Sequence, residues 1–302
     1  MEKYWTSEAH RVNFRFARQL TAHHSKSFYF STRLLPQEKQ WATFGLYGFC
    51  RYVDNLIDNP RNRSVQELLQ EVDHLQQELE IAYRTGESEH PILQPFIEVA
   101  NRYHIPMEYP VDLLRGVRMD LEHRRYATFD ELYLFAYHVA GVVGIMMTYI
   151  LGSDSPEAVQ YAEKLGIALQ LTNILRDVKE DAGRNRIYLP LDEMRNFGVT
   201  EEEILSGKMT PELEQFMKFQ IQRAEKYYSE AQPGIALLET DAQFAIIAAS
   251  KIYHRILRKI ETHDYNPFLG RVFVSQSQKI GILFREMIRN RILRKPVRLI
   301  PA

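Results

Sequence analysis

The stretch Gln170–Pro190, QLTNILRDVKEDAGRNRIYLP, carries polar residues at helical spacing. Read as a helix, it places Asn173, Asp177 and Asp181 at i, i+4 and i+8 on one stripe, because residues four apart stack along a helix face. Two carboxylates one turn apart, about 6 Å by helical rise, repel each other unless a cation lies between them or water screens them. A lone acidic pair at this spacing is ordinarily a solvated face. Here Leu171, Ile174, Leu175 and Val178 surround the stripe, and a hard divalent cation is its natural partner.

A second pair stands far upstream. The run FCRYVDNLIDNP carries Asp54 and Asp58, again i and i+4, after an apolar segment and before Pro60, which stops a helix. Two such pairs in a helical chain predict two helices facing each other across a cavity, with carboxylates on opposite walls. Mg²⁺ suits that place: it keeps octahedral oxygen coordination, takes few carboxylates, and completes its shell from water and phosphate oxygens. The substrate class that follows is a diphosphate. Arg51 and Arg176 accompany the two pairs, which a plain solvated face does not require.

The 302 residues suffice for one large domain or two ordinary ones, and 45% hydrophobic with 25% charged residues is ordinary for a globular chain. A net charge of −1 gives no global attraction to nucleic acid. The single cysteine, Cys50, excludes an internal disulfide and reads as a small buried apolar residue. The start, MEKYWTSEAHRVNF, has no apolar core of signal-peptide length and contains acids that transit peptides lack, so a cytoplasmic chain is expected. No stretch reads as a membrane span: Val139–Leu151 has thirteen apolar-rich residues where about twenty are needed. Within it, Gly141 and Gly144 mark where a helix or ligand comes close. The last residues, 279–302, hold seven basic side chains against Glu286, interleaved with Ile280, Phe284 and Met287. They read either as an interfacial amphipathic helix held on anionic lipid or as a C-terminal core helix with a solvated basic face.

Helical spacing recurs along the chain. Residues 8–23 put Val12, Phe16 and Leu20 on one stripe. His24, Ser25, Lys26 and Ser27 then offer donors for an anion at a helix start, or a plain capping turn. Helices are expected over 37–58, 65–84, 91–104, 110–122, 129–151, 156–181, 211–232 and 241–262. The aromatics of the first of these, Trp41, Phe44, Tyr47, Phe49 and Tyr52, are ordinary core material, although ring faces also stabilise cations. Asp120 precedes the basic cluster His123, Arg124, Arg125, which either binds phosphate or decorates the surface. Residues 182–208 read as a loop, a flap bearing Arg184, Arg186 and Tyr188 that closes over a charged substrate. No alternating strand pattern, repeat or linker is present. The expectation is a single all-α domain spanning 1–302.

The blocks HSKSFYFSTRLLP, YGFCRYVDNLID, RRYATFDELYLFAYHVAGVVG, ALQLTNILRDVKEDAGRNRIYLP and DYNPFLGRVFVSQSQK together resemble the squalene/phytoene synthases, head-to-head prenyltransferases with the isoprenoid synthase fold. One departure is Asn55, where many members carry a second adjacent aspartate; the D-x-x-x-D pattern of Asp54 and Asp58 remains. The resemblance implies helices around a central apolar cavity, with Asp54, Asp58, Asp177 and Asp181 as ligands of Mg²⁺, or of Mn²⁺ in its place. It implies that Gln170 and Asn173 extend the second metal and polar wall, that Ser25, Ser27, Arg51, Arg176, Tyr253 and Arg271 approach the diphosphates or the residues holding them, and that Tyr47, Tyr137 and Tyr188 lie near the reacting carbons.

The implied reaction joins two geranylgeranyl diphosphates through a cyclopropylcarbinyl diphosphate to phytoene, a step of carotenoid biosynthesis that does not require NADPH. The alternative is dehydrosqualene or squalene synthesis from two farnesyl diphosphates. A non-catalytic prenyl-lipid binder on the same fold is the remaining reading, and four carboxylates argue against it. The block around Tyr126 favours the carotenoid-forming members. Thr32, one turn beyond Phe28, is small where farnesyl-using relatives carry a bulky aromatic, and implies room for a longer tail; Phe44 is the residue that limits it again.

Overall fold

The computed structural model describes residues 3–8 and 10–291, apart from the side chains of Asp58, Asn290 and Arg291. Helices α1 (Arg11–His24), α2 (Lys26–Thr32) and α3 (Gln37–Asp58) open the fold. There follow α4 (Val65–Thr85), α5 (Leu93–Tyr103), α6 (Glu108–Glu122) and α7 (Phe129–Ala136). A π-helical turn, Tyr137–Gly141, runs into α8 (Val142–Leu151), and then come α9 (Ala158–Gly183), α10 (Leu191–Asn196), α11 (Glu201–Ser206) and α12 (Pro211–Ala231). A 3₁₀ turn, Gln232–Leu237, leads to α13 (Thr240–Thr262) and α14 (Gln276–Arg291). Among the described residues the only β pairing is two isolated bridges, Arg125 with Ile187 and Ser153 with Leu238.

Helix ends lie where the side chains satisfy them. Ser64 and Glu67 form a reciprocal capping box on α4, and Gly86 closes it at φ 82°, a left-handed position that favours glycine. Thr128 and Thr210 cap α7 and α12. Thr200 and Glu203 form a second capping box on α11. With Pro190 at the start of α10, this makes two short helices of a segment whose glycines and proline predict only a loop. One-turn helices are too short for periodicity to announce them.

Two adjoining apolar cores result. One gathers α1, α3, α4, α5, α6 and α8; the other gathers α7, α9, α12 and α13. Helix α9 is central, packing on α12, α8 and α13. It also meets α8 and the π turn at backbone distance: a Cβ on Gly144 of α8 would lie 2.5 Å from the Ala162 oxygen, and one on Gly166 would lie 2.7 Å from the carbonyl carbon of Ala140 in the π turn. The neighbour anticipated for Gly144 is therefore a helix. Lys39, buried at the start of α3, donates to the Leu151 carbonyl at 2.8 Å, to Glu239 at 2.7 Å and to Asp241 at 2.6 Å, tying the ends of α3, α8 and α13 together. Cys50 is a free, buried thiol.

Two expectations change, and the two readings of the tail each meet the structure in part. Helix α1 buries Phe14, Ala17 and Thr21, while Val12 and Phe16 are 66% and 47% exposed. The reason is a close crossing, in which a Cβ on Gly48 would lie 3.0 Å from the Ala17 Cβ, so Ala17 faces inward and Phe14 and Thr21, on the same stripe, go with it. The continuous helical run Phe129–Leu151, 23 residues, is long and apolar enough to cross a membrane by length and composition, contrary to the thirteen-residue reading. More than half of it is buried inside the fold, which is the signature of a core helix. The described part of the tail, α14, packs on α13 through a buried Lys251–Glu286 ion pair of 3.1 Å. It nevertheless leaves Ile280, Phe284 and Met287 exposed. Residues 292–302, with Arg294, Lys295 and Arg298, lie outside the described residues.

Candidate active site

Helix α3 turns Tyr47, Arg51 and Asp54 to the side opposite its buried Phe49, Val53 and Leu56. Tyr47 stacks on Phe28 with centroids 5.0 Å apart. Its phenol is held well above the ordinary value, first by burial, then by Tyr253 and Asp54, while Arg51 and a hydrogen bond with Ser25 oppose this. The junction of α1 with α2, the middle of α3, and α13 are thereby brought to one place. From α9, Arg176 forks onto its neighbour Asp177, donating Nε at 2.7 Å and Nη2 at 2.5 Å. Tyr253 acts on Arg176 electrostatically as well as on Tyr47. Arg271, from the loop before α14, closes on the same Asp177 carboxylate at 3.0 and 3.2 Å. Five separate segments thus meet through Ser25, Tyr47, Tyr253, Arg176, Asp177 and Arg271.

One turn further along α9 the charge balance reverses. The Asp181 carboxyl is pushed up to about 7 by burial, by Asp177 and by Asp120, with Arg186 and Arg184 opposing. Asp120, buried on α6, accepts from Tyr188 Oη at 2.5 Å and pairs with Arg186 at 3.2 Å. The Tyr188 ring packs in a three-ring cluster with Phe135, at 5.4 Å, and Tyr126, at 5.8 Å, which touch each other at 5.2 Å. A void of about 10 Å³, room for one water, lies beside Asp181, Arg186 and Tyr188.

The donors present fit a hard divalent cation. They are all carboxylate oxygens, and Asp181 is a charge whose neighbouring arginines do not neutralise it, which a bound cation relieves. Among the described residues no three acidic, histidine or cysteine groups converge on one point. Mg²⁺ held by one or two carboxylates, with water and diphosphate oxygens completing its shell, has no need of such a cluster. The Asp58 side chain lies outside the described residues.

Other anticipated residues lie elsewhere or add to the rim. Asn173 donates to Gln170 at 3.4 Å on the same face of α9. The carbonyl of Ser27 accepts from Ser31. Thr32 is buried at the end of α2, and Phe44 is buried against Tyr29 and Trp41. Tyr137 is not brought to the Asp177 group: its hydroxyl lies 3.4 Å from Asp112, in a cleft of about 540 Å³ lined also by Glu108, Arg115 and Glu163. The basic cluster latches the flap, since Arg125 pairs with Glu201 and donates to the Asn185 carbonyl, and Arg124 reaches the Arg184 carbonyl. Asp120, as partner of Tyr188 and Arg186, is the residue that sequence reasoning missed. Its signal was present: with Leu113, Gly116, Val117 and Leu121 it occupies the apolar register of α6, where an unpaired acid is too costly to keep.

Residues 21–278 match the family model described as squalene/phytoene synthase. A phytoene synthase from Arthrospira platensis is 38% identical over 93% of this chain and 94% of its own length. A 15-cis-phytoene synthase from Synechococcus elongatus is 37% identical over 91% and 92%. Among solved structures, a dehydrosqualene synthase in complex with a ligand superposes with a TM-score of 0.86 at 29% identity, covering 94% of this chain and 98% of that one. The all-α architecture is that of the isoprenoid synthases, and the chain is a prenyltransferase that belongs to the squalene/phytoene synthase family.

Proposed function

We propose that the chain condenses two geranylgeranyl diphosphates head to head, releasing diphosphate, to give phytoene. The observation that carries this reading is the likeness, over nearly the whole chain, to two phytoene synthases. The arrangement of Arg51, Arg176, Arg271 and Tyr253 about one acidic face supports a diphosphate seat there. Asp54, Asp58, Asp177 and Asp181 would hold Mg²⁺, which when bound supplies positive charge to the leaving diphosphate.

The residues' own part is binding, timing and exclusion. Arg176 and Arg271, forked on Asp177 in the resting protein, are mobile charges that a diphosphate recruits once the carboxylate has another partner. Loss of one diphosphate leaves an allylic cation. The double bond of the second chain captures it and a proton is lost, closing the cyclopropyl ring; the second ionisation, rearrangement and a further proton loss give the hydrocarbon. The stacked rings of Tyr47, Phe28, Tyr188 and Phe135 face such cations without reacting as nucleophiles. The high phenol pKa of Tyr47 keeps it a neutral hydroxyl throughout. The flap from Arg184 to Tyr188, latched by Arg124 and Arg125, excludes water.

Purified protein with Mg²⁺ and geranylgeranyl diphosphate, without NADPH, should yield a C40 hydrocarbon by mass, and Asp54→Ala or Asp177→Ala should abolish it. A second reading, condensation of two farnesyl diphosphates, is favoured by the likeness to the dehydrosqualene synthase; a C30 product from farnesyl diphosphate alone would replace the first reading with it. The expected location is the cytoplasm, with the exposed Ile280, Phe284 and Met287 of α14 supporting peripheral contact with anionic lipid. Co-sedimentation with anionic vesicles tests that contact.

A further inference from the structure

We propose that Asp120 is a positioning residue for this reaction, setting the directions of Tyr188 and Arg186 beside the α9 carboxylates; this rests on the reading of the site given above. Asp120 is 5% exposed, on the apolar side of α6 with Val117 and Leu121. A carboxylate persists in such a place only when it is paired and hydrogen-bonded. Its partners are the Tyr188 hydroxyl at 2.5 Å and the Arg186 guanidinium at 3.2 Å.

The path of the flap does not depend on Asp120. Ile187 N donates to the Arg124 carbonyl at 3.0 Å, Leu191 N donates to the Tyr126 carbonyl at 3.0 Å, and Arg125 holds the Asn185 carbonyl at 2.7 Å. With the backbone already fixed, Asp120 determines where two side chains point. Arg186 feels both Asp120 and Asp181. Without Asp120 the guanidinium would fall onto Asp181 and occupy it, as Arg176 and Arg271 occupy Asp177. The Tyr188 ring packs against Phe135 and Tyr126, which also touch each other, and its one hydroxyl proton is given to Asp120. Ring plane and hydroxyl direction are both set before substrate arrives, which is the pre-organisation that electrostatic catalysis requires.

The test is a double-mutant cycle on the full-length protein, with Mg²⁺ and geranylgeranyl diphosphate as probes. Asp120→Asn keeps the shape and an oxygen acceptor for Tyr188 but removes the charge that holds Arg186. It should lower kcat about tenfold or more, leave KM for the diphosphate within about twofold, and raise the Mg²⁺ concentration for half-maximal rate. Asp120→Glu should recover part of the rate. The double variant Asp120→Asn/Arg186→Gln should be no slower than the slower single variant, because both remove one pair. Losses that multiply, or a less stable Asp120→Asn protein whose folded fraction turns over at the wild-type rate, would overturn the proposal. If Asp120→Asn does not fold, the cycle is run with Arg186→Gln against Tyr188→Phe. Their shared anchor predicts losses that fall short of the product, and full multiplication overturns it. A wild type that makes neither C40 nor C30 hydrocarbon overturns the reaction reading and this one together, whereas an active wild type with multiplying losses overturns only this one.

Discussion

Replacing Asp181 by Asn should stabilise the metal-free protein in alkaline solution while abolishing its turnover. The Asp181 carboxyl is pushed up to about 7 in the folded chain, against an ordinary value of 3.8. A raised carboxylate costs nothing below the unfolded value, because both states then hold the proton. Its cost grows as pH rises from 3.8 to about 7 and is constant above. At 1.36 kcal/mol for each pKa unit, the ceiling is about 4 kcal/mol, and relaxation with partial hydration brings the expected effect to about 2–4 kcal/mol. Asparagine occupies the same space without the charge. Urea unfolding in EDTA should therefore show the variant more stable than wild type at pH 8.5. The advantage should fall to about half, a loss of about 1–2 kcal/mol, at pH 5.5, which lies between the two pKa values, and nearly vanish by pH 4. Added Mg²⁺ should stabilise wild type by more than the variant, since a cation that binds only the folded state adds about 2.7 kcal/mol at a hundredfold excess over its Kd. A stability gap that is flat with pH, or a variant less stable than wild type at pH 8.5 in EDTA, would sink the account of Asp181 as an uncompensated charge.

Lys39→Met should lower stability by about 2 kcal/mol in urea unfolding, because the buried Leu151 carbonyl loses a charge-assisted donor while Glu239 and Asp241 keep access to water; an unchanged midpoint would refute the anchoring role. Gly166→Ala should cost about 1–3 kcal/mol and reduce turnover, since the added methyl pushes α9 off the π turn. Gly281→Ala, with open space around it in α14, should be neutral or stabilising by up to about 1 kcal/mol, and equal effects at the two glycines would remove the close-crossing argument. Thr32→Phe should shift hydrocarbon length downward if wild type makes phytoene, and an unchanged C40 product by mass would dismiss Thr32 as a determinant of chain length.

The two aspartate helices were readable because polar residues at four-residue spacing stood inside apolar runs, a pattern that owes nothing to distant contacts. Arg271 and Tyr253 were not readable that way. Ninety-four positions separate Arg271 from Asp177, and only the resemblance of whole blocks pointed to them. Helix α1 shows where hydrophobicity misleads. Phe14, Ala17 and Thr21 fit a helical stripe as well as Val12, Phe16 and Leu20 do, and the choice fell to a small-residue crossing with Gly48 that ranks low on any apolar scale. The π turn has a similar consequence. An i→i+5 turn inserts a residue into the helix, so a straight 3.6-residue register drawn across Phe129–Leu151 is out of phase on one side of Tyr137–Gly141. Phe135, before the turn, stacks on Tyr188, while Tyr137, within it, reaches Asp112, about two turns before Asp120 along α6. The same turn lies against α9 through Gly141 and Gly166. The segment whose register is hardest to read is therefore the one that sets how far α9, with Arg176, Asp177 and Asp181, stands from the rest of the site.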